Sequence, residues 1–259
     1  MSYLDRILIY PIKSLDPLEV TCARILPGGA LAHDREFALM DDQGKVVNAK
    51  RTAKIHGVRS TYDLAARTVT LWTEAQSPQT FHFEADRAKL KVWFSDYFGQ
   101  AITLQQNLHT GFPDDLNAAG PTLVSTATLQ QITGWFPDLT LEEIRRRFRT
   151  NLEIANVPPF WEDKLFADID QPPVPFQIGT VQFWGSNPCQ RCIVPTRNPM
   201  TGDPYPGFQK QFVAQRQSNL PDWAVSARFN HFYKLTLNTK VLPSEGGKTL
   251  QVGDKLTKV

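Results

Sequence analysis

Two cysteines, Cys189 and Cys192, lie three positions apart in the stretch Asn187 to Thr196 (NPCQRCIVPT). The only other cysteine in the 259 residues is Cys22. Cysteine thiolates bind soft metals and form redox pairs, whereas buried thiols without a partner are usually inert. The chemistry of this pair therefore depends on which other side chains the sequence can supply.

A structural zinc site would need four nitrogen or sulfur ligands at short loop spacings. No His-x3-5-His or His-Glu-x-x-His spacing occurs among the five histidines, which are His33, His56, His82, His109 and His231. An iron–sulfur cluster needs about four thiolates, and the chain holds three cysteines. The spacing therefore disfavours zinc and, more strongly, an iron–sulfur cluster.

A thioredoxin-like redox pair needs a helix whose N-terminus lowers the pKa of the first thiol. Prolines and glycines crowd the stretch from Pro195 to Gly207, which predicts that no helix follows the pair directly. Two interpretations stay open. The thiols could be buried and free in a reducing compartment, or one thiolate could bind a soft metal carried by a cofactor. The adjacent Arg191 would favour the ionised thiol.

The segment Asn187 to Gly202 (NPCQRCIVPTRNPMTG) resembles the signature of MOSC-domain proteins, a family named for the C-terminal domain of molybdenum cofactor sulfurases. The resemblance is strongest to the branch that contains the mitochondrial amidoxime-reducing component and its bacterial relatives. Three further stretches resemble this branch in the same order: Ile9–Ser14 (IYPIKS), His33–Asp41 (HDREFALMD) and Phe148–Ile154 (FRTNLEI), where Thr150 replaces the usual proline. The resemblance extends over nearly the whole chain.

The resemblance implies that Cys192, the second cysteine of the pair, is the protein's ligand to molybdenum and its catalytic residue. It also implies that seven residues hold the pyranopterin and phosphate of a molybdenum cofactor: Lys13, Ser14, Arg35, Arg149, Asn151, Gln190 and Arg191. Relatives place another cofactor-holding loop at residues 117–121, but alanines stand here where relatives have hydroxyls, so only backbone contacts are expected. Cys189 is expected to be a structural thiol, since a second thiolate would close the coordination position that catalysis needs.

The types of these residues agree with such a ligand independently of the family. Proteins hold phosphates and polar fused rings with bidentate guanidinium groups, lysine ammonium groups, and short hydroxyl or amide side chains. Lys13, Arg35, Arg149 and Asn151 have this chemistry. Taken singly, each could equally be a surface charge or a turn residue.

The activity implied by the resemblance is the reduction of N-hydroxylated compounds such as amidoximes, hydroxylamines and N-hydroxylated nucleobases. The chain lacks the four cysteines of a ferredoxin-like cluster. We therefore expect a separate electron-transfer protein, of the ferredoxin or cytochrome type with a reductase. Two alternatives are a molybdenum cofactor or sulfur carrier without turnover and a β-barrel binding module without metal.

The run Arg145 to Arg149 (RRRFR) has the arginine and aromatic composition of a site that binds nucleic-acid phosphates. Two glutamates, Glu142 and Glu143, precede it, and the chain carries a net charge of only +2. We therefore expect no nucleic-acid partner, and we interpret Arg145 to Arg147 as a solvated helix end whose charges complement the helix dipole.

The composition, with 41% hydrophobic residues over 259 positions, permits a substantial core in one large or two closely joined domains. No run of about 20 apolar residues occurs, so no membrane partner is expected. The first eleven residues are strand-like and too charged for a signal peptide. From these features and the few cysteines we expect a cytoplasmic protein.

Short alternating or β-branched segments predominate, such as Thr68–Trp72 and Val181–Trp184, and they predict strands. Helices are predicted at 87–98, 125–132 and 140–147, the last with a capping-box spacing. The fold class is therefore mainly β with some helices (α+β). We predict an N-terminal β-barrel-like domain over residues 1–112 and a MOSC β-barrel domain over 113–259, divided in the Gly- and Pro-containing stretch 107–116.

Overall fold

The computed structural model describes residues 1–258, in which strands are more abundant than helices. The strands within this range are β1 Tyr3–Ile9, β2 Leu18–Val20, β3 Cys22–Arg24, β4 Phe37–Met40, β5 Val46–Val47, β6 Arg59–Asp63, β7 Thr68–Thr73, β8 Gln76–His82, β9 Thr103–Gln106, β10 Leu123–Ser125, β11 Leu152–Ala155, β12 Val174–Ile178, β13 Val181–Gln190, β14 Lys234–Lys240, β15 Thr249–Gln251 and β16 Leu256–Lys258. The α-helices of the same range are α1 Arg87–Phe98, α2 Thr126–Trp135, α3 Leu141–Phe148 and α4 Phe208–Ser218.

Eight strands form one sheet in the spatial order β16-β12-β13-β14-β10-β11-β1-β2. All of its pairings are antiparallel except that of β10 with β11. Leu4, Ile7 and Ile9 of β1 are buried in the same core as Phe176 and Phe183 of β12 and β13. The first strands of the chain therefore share a sheet and a core with the C-terminal half.

Two three-stranded sheets, β5-β4-β9 and β6-β7-β8, enclose a second core in the N-terminal half. Phe37, Leu71 and Phe94 are fully buried there, because the apolar faces of two sheets and of helix α1 meet. Val194, which follows β13, also inserts into this core, and Cys192 packs against it. The cysteine segment therefore spans the junction of the two halves.

Helices α2, α3 and α4 pack around a third, aromatic-rich core that contains Phe136, Phe148 and Phe212. The capping box predicted for α3 is confirmed, since the Glu143 amide donates to Thr140 Oγ1 at 3.2 Å and the Thr140 amide to Glu143 Oε2 at 2.8 Å. Helix α3 ends where Arg149 adopts a left-handed conformation, with φ 53°.

The predicted fold class, mainly β with some helices, is confirmed. The sheet orders found in residues 1–258 are open, and none closes into a complete barrel. The predicted division between residues 112 and 113 stays a prediction. No helix in the described part of the chain has the length and apolar character needed to cross a membrane.

Candidate functional site

A cavity of about 600 Å³ opens where the two halves of the chain meet. Its walls come from the turn after β1, the turn before β4, the loop that precedes β10, the α3–β11 turn and the end of β13. All eight residues singled out from the sequence line it: Lys13, Ser14, Arg35, Arg149, Asn151, Gln190, Arg191 and Cys192. The fold therefore brings together four motifs that are far apart in sequence.

The cysteine segment is shaped by two irregularities where β13 pairs with β14. Gly185 pairs with Thr239 and Asn187 with Asn238, so Ser186 is an extra residue on β13. Such bulges bend a strand and redirect its side chains. The end of β13 is thereby turned toward the cavity, where Cys189 forms part of the wall.

Arg191 contacts the first cysteine of the pair. Its Nη1 lies 3.3 Å from Cys189 Sγ, and its Nη2 donates to the Phe148 carbonyl at 2.7 Å. From the sequence, Arg191 is expected to favour an ionised metal-binding thiol, which the family resemblance implies is Cys192. The observed contact is with Cys189, because side chains at i and i+2 lie on one side of an extended chain. Arg191 therefore ties Cys189 to the end of α3.

Cys192 lies beyond the end of β13, half-buried, and lines the cavity. No group of three or more His, Cys, Asp and Glu side chains that could hold a metal ion occurs in residues 1–258. A metal at Cys192 would therefore need most of its ligands from a separate molecule. Gln190, beside it, is exposed at the cavity wall.

Lys13 is almost fully buried, with 7% of its surface exposed. Its Nζ donates to the Phe112 carbonyl at 2.7 Å and to Asp114 Oδ1 at 2.6 Å. Burial lowers the pKa of Lys13, although Asp114 favours the charged ammonium. Ser14, the next residue, accepts a hydrogen bond from the Ala49 amide at 3.2 Å, and its hydroxyl hydrogen stays available to a ligand.

Arg35 is fixed from three sides. Its Nη1 donates to the buried Asp34 carboxylate and lies 3.4 Å from Asn151 Oδ1, and its guanidinium lies 5.3 Å from the centre of the Tyr10 ring. Asp34 is itself anchored, since Asp34 Oδ1 accepts from the Tyr10 amide at 2.9 Å. Such a rigid guanidinium is suited to a planar anion.

Arg149 shares the Tyr10 ring with Arg35, at 4.2 Å from the ring centre. Its Nη2 donates to the Leu15 carbonyl at 2.7 Å, which connects the α3–β11 turn to the turn after β1. Burial is the main cause that lowers the pKa of Arg149, and the charge of Arg35 acts in the same direction. An anion in the cavity would relieve the repulsion between these two cations.

Asn151 has its hydrogen bonds committed to the protein. Its Nδ2 donates to the Leu8 carbonyl at 3.0 Å, and its Oδ1 accepts from the Thr122 amide and hydroxyl, both at 3.2 Å. Only 1% of its surface is exposed. Asn151 therefore holds the cavity wall and Arg35 in place.

Three of the cavity residues have left-handed backbone conformations, with φ 74° at Ser14, 50° at Arg35 and 53° at Arg149. Such conformations cost about 1–3 kcal/mol each at residues other than glycine, and they gather at functional sites. Their convergence on one cavity indicates that backbone strain helps to place side chains there.

The loop at residues 117–121 also reaches the cavity, through Ala118, Ala119 and Gly120. The Gly120 amide donates to the Thr239 carbonyl at 3.1 Å, and a Cβ at this position would lie 2.7 Å from the same oxygen. A side chain is therefore excluded at Gly120, and the loop presents mainly backbone to the cavity.

Sequence reasoning missed several polar residues of the cavity wall: Asn48, Lys50, Asp114, Thr122, Asn187 and Asn238. Asn238 is 7% exposed, and no hydrogen bond joins its side-chain amide to another of residues 1–258. It lies on β14, paired with Asn187. No local sequence pattern pointed to Asn238, because its place in the cavity wall depends on the pairing of β14 with β13, which are far apart in sequence.

The expectation that Arg145 to Arg147 form a solvated helix end is wrong for Arg147. This side chain is 2% exposed and donates to the carbonyls of Pro195 at 3.0 Å and Arg197 at 2.6 Å. Arg145 pairs with the buried Glu153 at 2.9 Å. The arginine run lies against the segment after β13, because that segment carries free carbonyls which a cation can satisfy.

The cavity residues fit a molybdenum cofactor. Five cationic side chains line it against three carboxylates, and Asp34 is committed to Arg35. Arg191 Nε is buried without a hydrogen-bond partner among the described residues. A cavity of about 600 Å³ is of the size that holds a ligand with a fused ring. An excess of positive charge beside the Cys189 and Cys192 thiols suits an anionic ligand that carries a soft metal.

Comparison with known proteins finds matches over most of the chain. Residues 1–106 match the family model described as MOSC N-terminal beta barrel domain, and residues 117–257 match that described as MOSC domain. The chain is 24% identical over 232 residues to Molybdenum cofactor sulfurase 2 of Culex quinquefasciatus. The match covers 73% of this chain and spans 29% of the length of that relative.

Proposed function

The chain belongs to the MOSC-domain family, and on that premise we propose that it is a molybdenum-cofactor-dependent oxidoreductase that reduces N-hydroxylated compounds. The family and the sulfurase relative support a function connected with the molybdenum cofactor. The reductase activity goes beyond what these two findings support, and it rests on the resemblance of the four sequence motifs to those of amidoxime-reducing proteins.

One observation carries the proposal: a single cavity joins the Cys192 thiol to a set of cations assembled from both halves of the chain. The cavity offers a binding partner for each part of a cofactor that carries a phosphate, a polar ring and a dithiolene-bound metal. Lys13 and Ser14 would hold the phosphate, while Arg35 and Arg149 would bind the ring. Cys192 would be the protein ligand of the metal.

The remaining cavity residues would orient these groups. Asn151 fixes Arg35 through its Oδ1, and Gln190, at the exposed end of β13, would hydrogen-bond to the ring edge. Cys189 is held by Arg191 and would leave the metal with one protein thiolate. A single thiolate keeps a coordination position open for substrate.

The bound cofactor would supply two-electron oxygen-atom chemistry. The net reaction takes an N–OH compound, two electrons and two protons to the corresponding N–H compound and water. The electrons would come from a separate ferredoxin- or cytochrome-type protein with its reductase. The cavity residues fixed by hydrogen bonds, such as Arg35 and Arg149, would hold the cofactor in one orientation, so little reorganisation would accompany the reaction.

A second candidate is a carrier that holds the molybdenum cofactor or transfers sulfur without turnover. The likeness to a protein named for sulfurase activity favours it. In that case the cavity would bind the cofactor with the same residues and release it to another protein.

The two functions are separated by a reduction assay on purified protein that contains molybdenum. Benzamidoxime is supplied together with a chemically reduced artificial electron donor in the absence of oxygen. The amount of benzamidine formed is then compared with the amount of donor oxidised. The proposal predicts one benzamidine for every two electrons and none with Cys192→Ser. Retained molybdenum without benzamidine formation would favour the carrier.

A further inference from the structure

Two lysines of the cavity converge on one carboxylate. Asp114 accepts from Lys13 Nζ at 2.6 Å through Oδ1 and lies 3.2 Å from Lys50 Nζ through Oδ2. The Asp114 side chain is 57% exposed, and these lysines hold its pKa well below its usual range although partial desolvation opposes ionisation. Asp114 therefore occupies, as an anion, the place between two cations where a ligand's anionic group would bind.

The chain segment that carries Asp114, residues 113–117, has few other attachments. Asp115 Oδ1 accepts from the Asn117 amide at 2.9 Å within the segment, and the Leu116 side chain is exposed, at 83%. Within the described chain, the polar bonds that join this segment to the rest of the protein are the two lysine contacts of Asp114 and a bond of 3.3 Å from the adjacent Ala118 amide to the Asp115 carbonyl. Release of Asp114 would free the segment.

Asp114 and a phosphate compete for the same positive charge. Lys13 has three donor hydrogens, of which Phe112 and Asp114 take two. A phosphate brought beside an ionised Asp114 would be repelled by it, whereas a phosphate in its place would gain both lysines. We therefore expect the state in which phosphate has replaced Asp114 between the lysines to have a lower free energy than the state in which both anions lie there.

We propose that Asp114 is the internal counter-ion of a phosphate subsite formed by Lys13 and Lys50, and that a phosphate-bearing ligand displaces it and releases segment 113–117. The proposal rests on the proposed function only in taking the cofactor as the source of that phosphate. The affinity of this subsite for phosphate is therefore set partly by Asp114, a residue of segment 113–117.

Phosphate titration of the full-length, cofactor-free protein tests this competition. Binding of inorganic phosphate is measured by calorimetry at constant ionic strength for wild type, Asp114→Asn and Asp115→Asn. Asp115 also lines the cavity but makes no lysine contact, so its variant controls for the general loss of a nearby charge. We expect at least tenfold tighter binding with Asp114→Asn and at most threefold with Asp115→Asn.

Equal or weaker phosphate binding by Asp114→Asn would overturn the proposal, because it would mean that Asp114 orients the lysines for the ligand. The wild-type protein provides a second test, through chymotryptic cleavage after Leu116 followed by mass spectrometry. Phosphate should speed cleavage several-fold in wild type, and Asp114→Asn should be cut fast without phosphate. Cleavage that phosphate slows or leaves unchanged would contradict release of the segment.

A comparison of cofactor-loaded with cofactor-free protein identifies the source of the phosphate. Loaded protein should bind no inorganic phosphate at this subsite, since the cofactor's phosphate would fill it. Binding of equal strength in both forms would overturn the assignment to the cofactor. Failure to retain molybdenum would defeat the proposed function alone, because the titration of cofactor-free protein still decides the role of Asp114.

Discussion

Thr236 on β14 lies opposite Cys189 on β13 as part of a β-bulge. Pro188 pairs with Leu237 and Gln190 with Lys234, so two residues of β14 face Cys189. Thr236 has φ 71°, a left-handed conformation that is unusual for a β-branched residue. The cysteine segment is therefore shaped by a strained residue on the neighbouring strand.

Replacing Thr236 with glycine should stabilise the protein. The left-handed backbone costs about 1–2 kcal/mol here, and the buried Thr236 Oγ1 has no partner among residues 1–258, which adds about 1–3 kcal/mol. The greater chain entropy of glycine offsets about 0.5–1 kcal/mol. We expect Thr236→Gly to raise the free energy of unfolding by about 1–4 kcal/mol in urea denaturation.

Thr70→Gly provides the control for that substitution. Thr70 lies in strand β7 at a regularly paired position opposite Thr80, where glycine should destabilise by about 1 kcal/mol. Destabilisation of similar size in both variants would show that the bulge stores no strain.

Arg149 should contribute strongly to cofactor retention. Arg149→Asn keeps a residue that tolerates left-handed backbone and removes the guanidinium. Loss of a charge-assisted hydrogen bond should weaken cofactor binding by about 1.5–3 kcal/mol. Molybdenum content after dialysis measures the effect. Arg146→Asn, in helix α3 just before Arg149 but outside the cavity lining, should retain wild-type content, and equal loss in both variants would argue against a direct contact.

Substitution of two buried asparagines of the cavity should lower the free energy of unfolding by different amounts. Asn151→Ala removes bonds to Leu8 and Thr122 and should destabilise the protein by about 2–4 kcal/mol. Asn238 makes no side-chain hydrogen bond within the described residues, so Asn238→Ala should cost less than about 1 kcal/mol. Urea unfolding compares the two. Equal losses would mean that Asn238 is a structural residue with no amide to offer a ligand.

Stability should fall as pH rises toward neutrality because of Glu162. Burial, aided by the charge of Asp163, raises its pKa from 4.5 to about 7. Between these values the folded protein holds a proton that the unfolded chain releases, so rising pH favours unfolding. At about 1.4 kcal/mol per pH unit, the loss reaches roughly 3 kcal/mol by pH 7 and then levels off.

Glu162→Gln should remove this slope when unfolding free energies are measured from pH 5 to pH 8. The matched control is Glu74→Gln, at an exposed position in the turn between β7 and β8. Its curve should keep the wild-type slope. A Glu162→Gln curve parallel to that of wild type would show that this carboxyl ionises normally in the folded protein.

Local patterns were enough to predict much of the fold. Helix α3 followed from the Thr140 and Glu143 caps, and strands such as β7 followed from alternation. Helix α4 was missed, although Phe208, Phe212 and Arg216 recur at i, i+4 spacing and are buried. Its start is marked by Gly207 without a side-chain cap, so the usual signal for a helix N-terminus is absent there.

The site was predictable in its residue types and less so in their contacts. Motifs 130 residues or more apart supply Lys13 and Arg149, and both line one cavity. Asp114, Lys50 and Asn238 were missed because their roles arise from loop closure and strand pairing, which no local pattern encodes. The contact of Arg191 with Cys189 likewise depends on how β13 ends.

Molybdenum content per protein decides most directly whether Cys192 is the metal ligand. Wild type, Cys189→Ser and Cys192→Ser are purified from cells able to make the cofactor and analysed by mass spectrometry of the metal. We predict molybdenum in wild type, most of it retained in Cys189→Ser, and none in Cys192→Ser. Absence of molybdenum from wild type, or equal loss in the two variants, would contradict the proposed site.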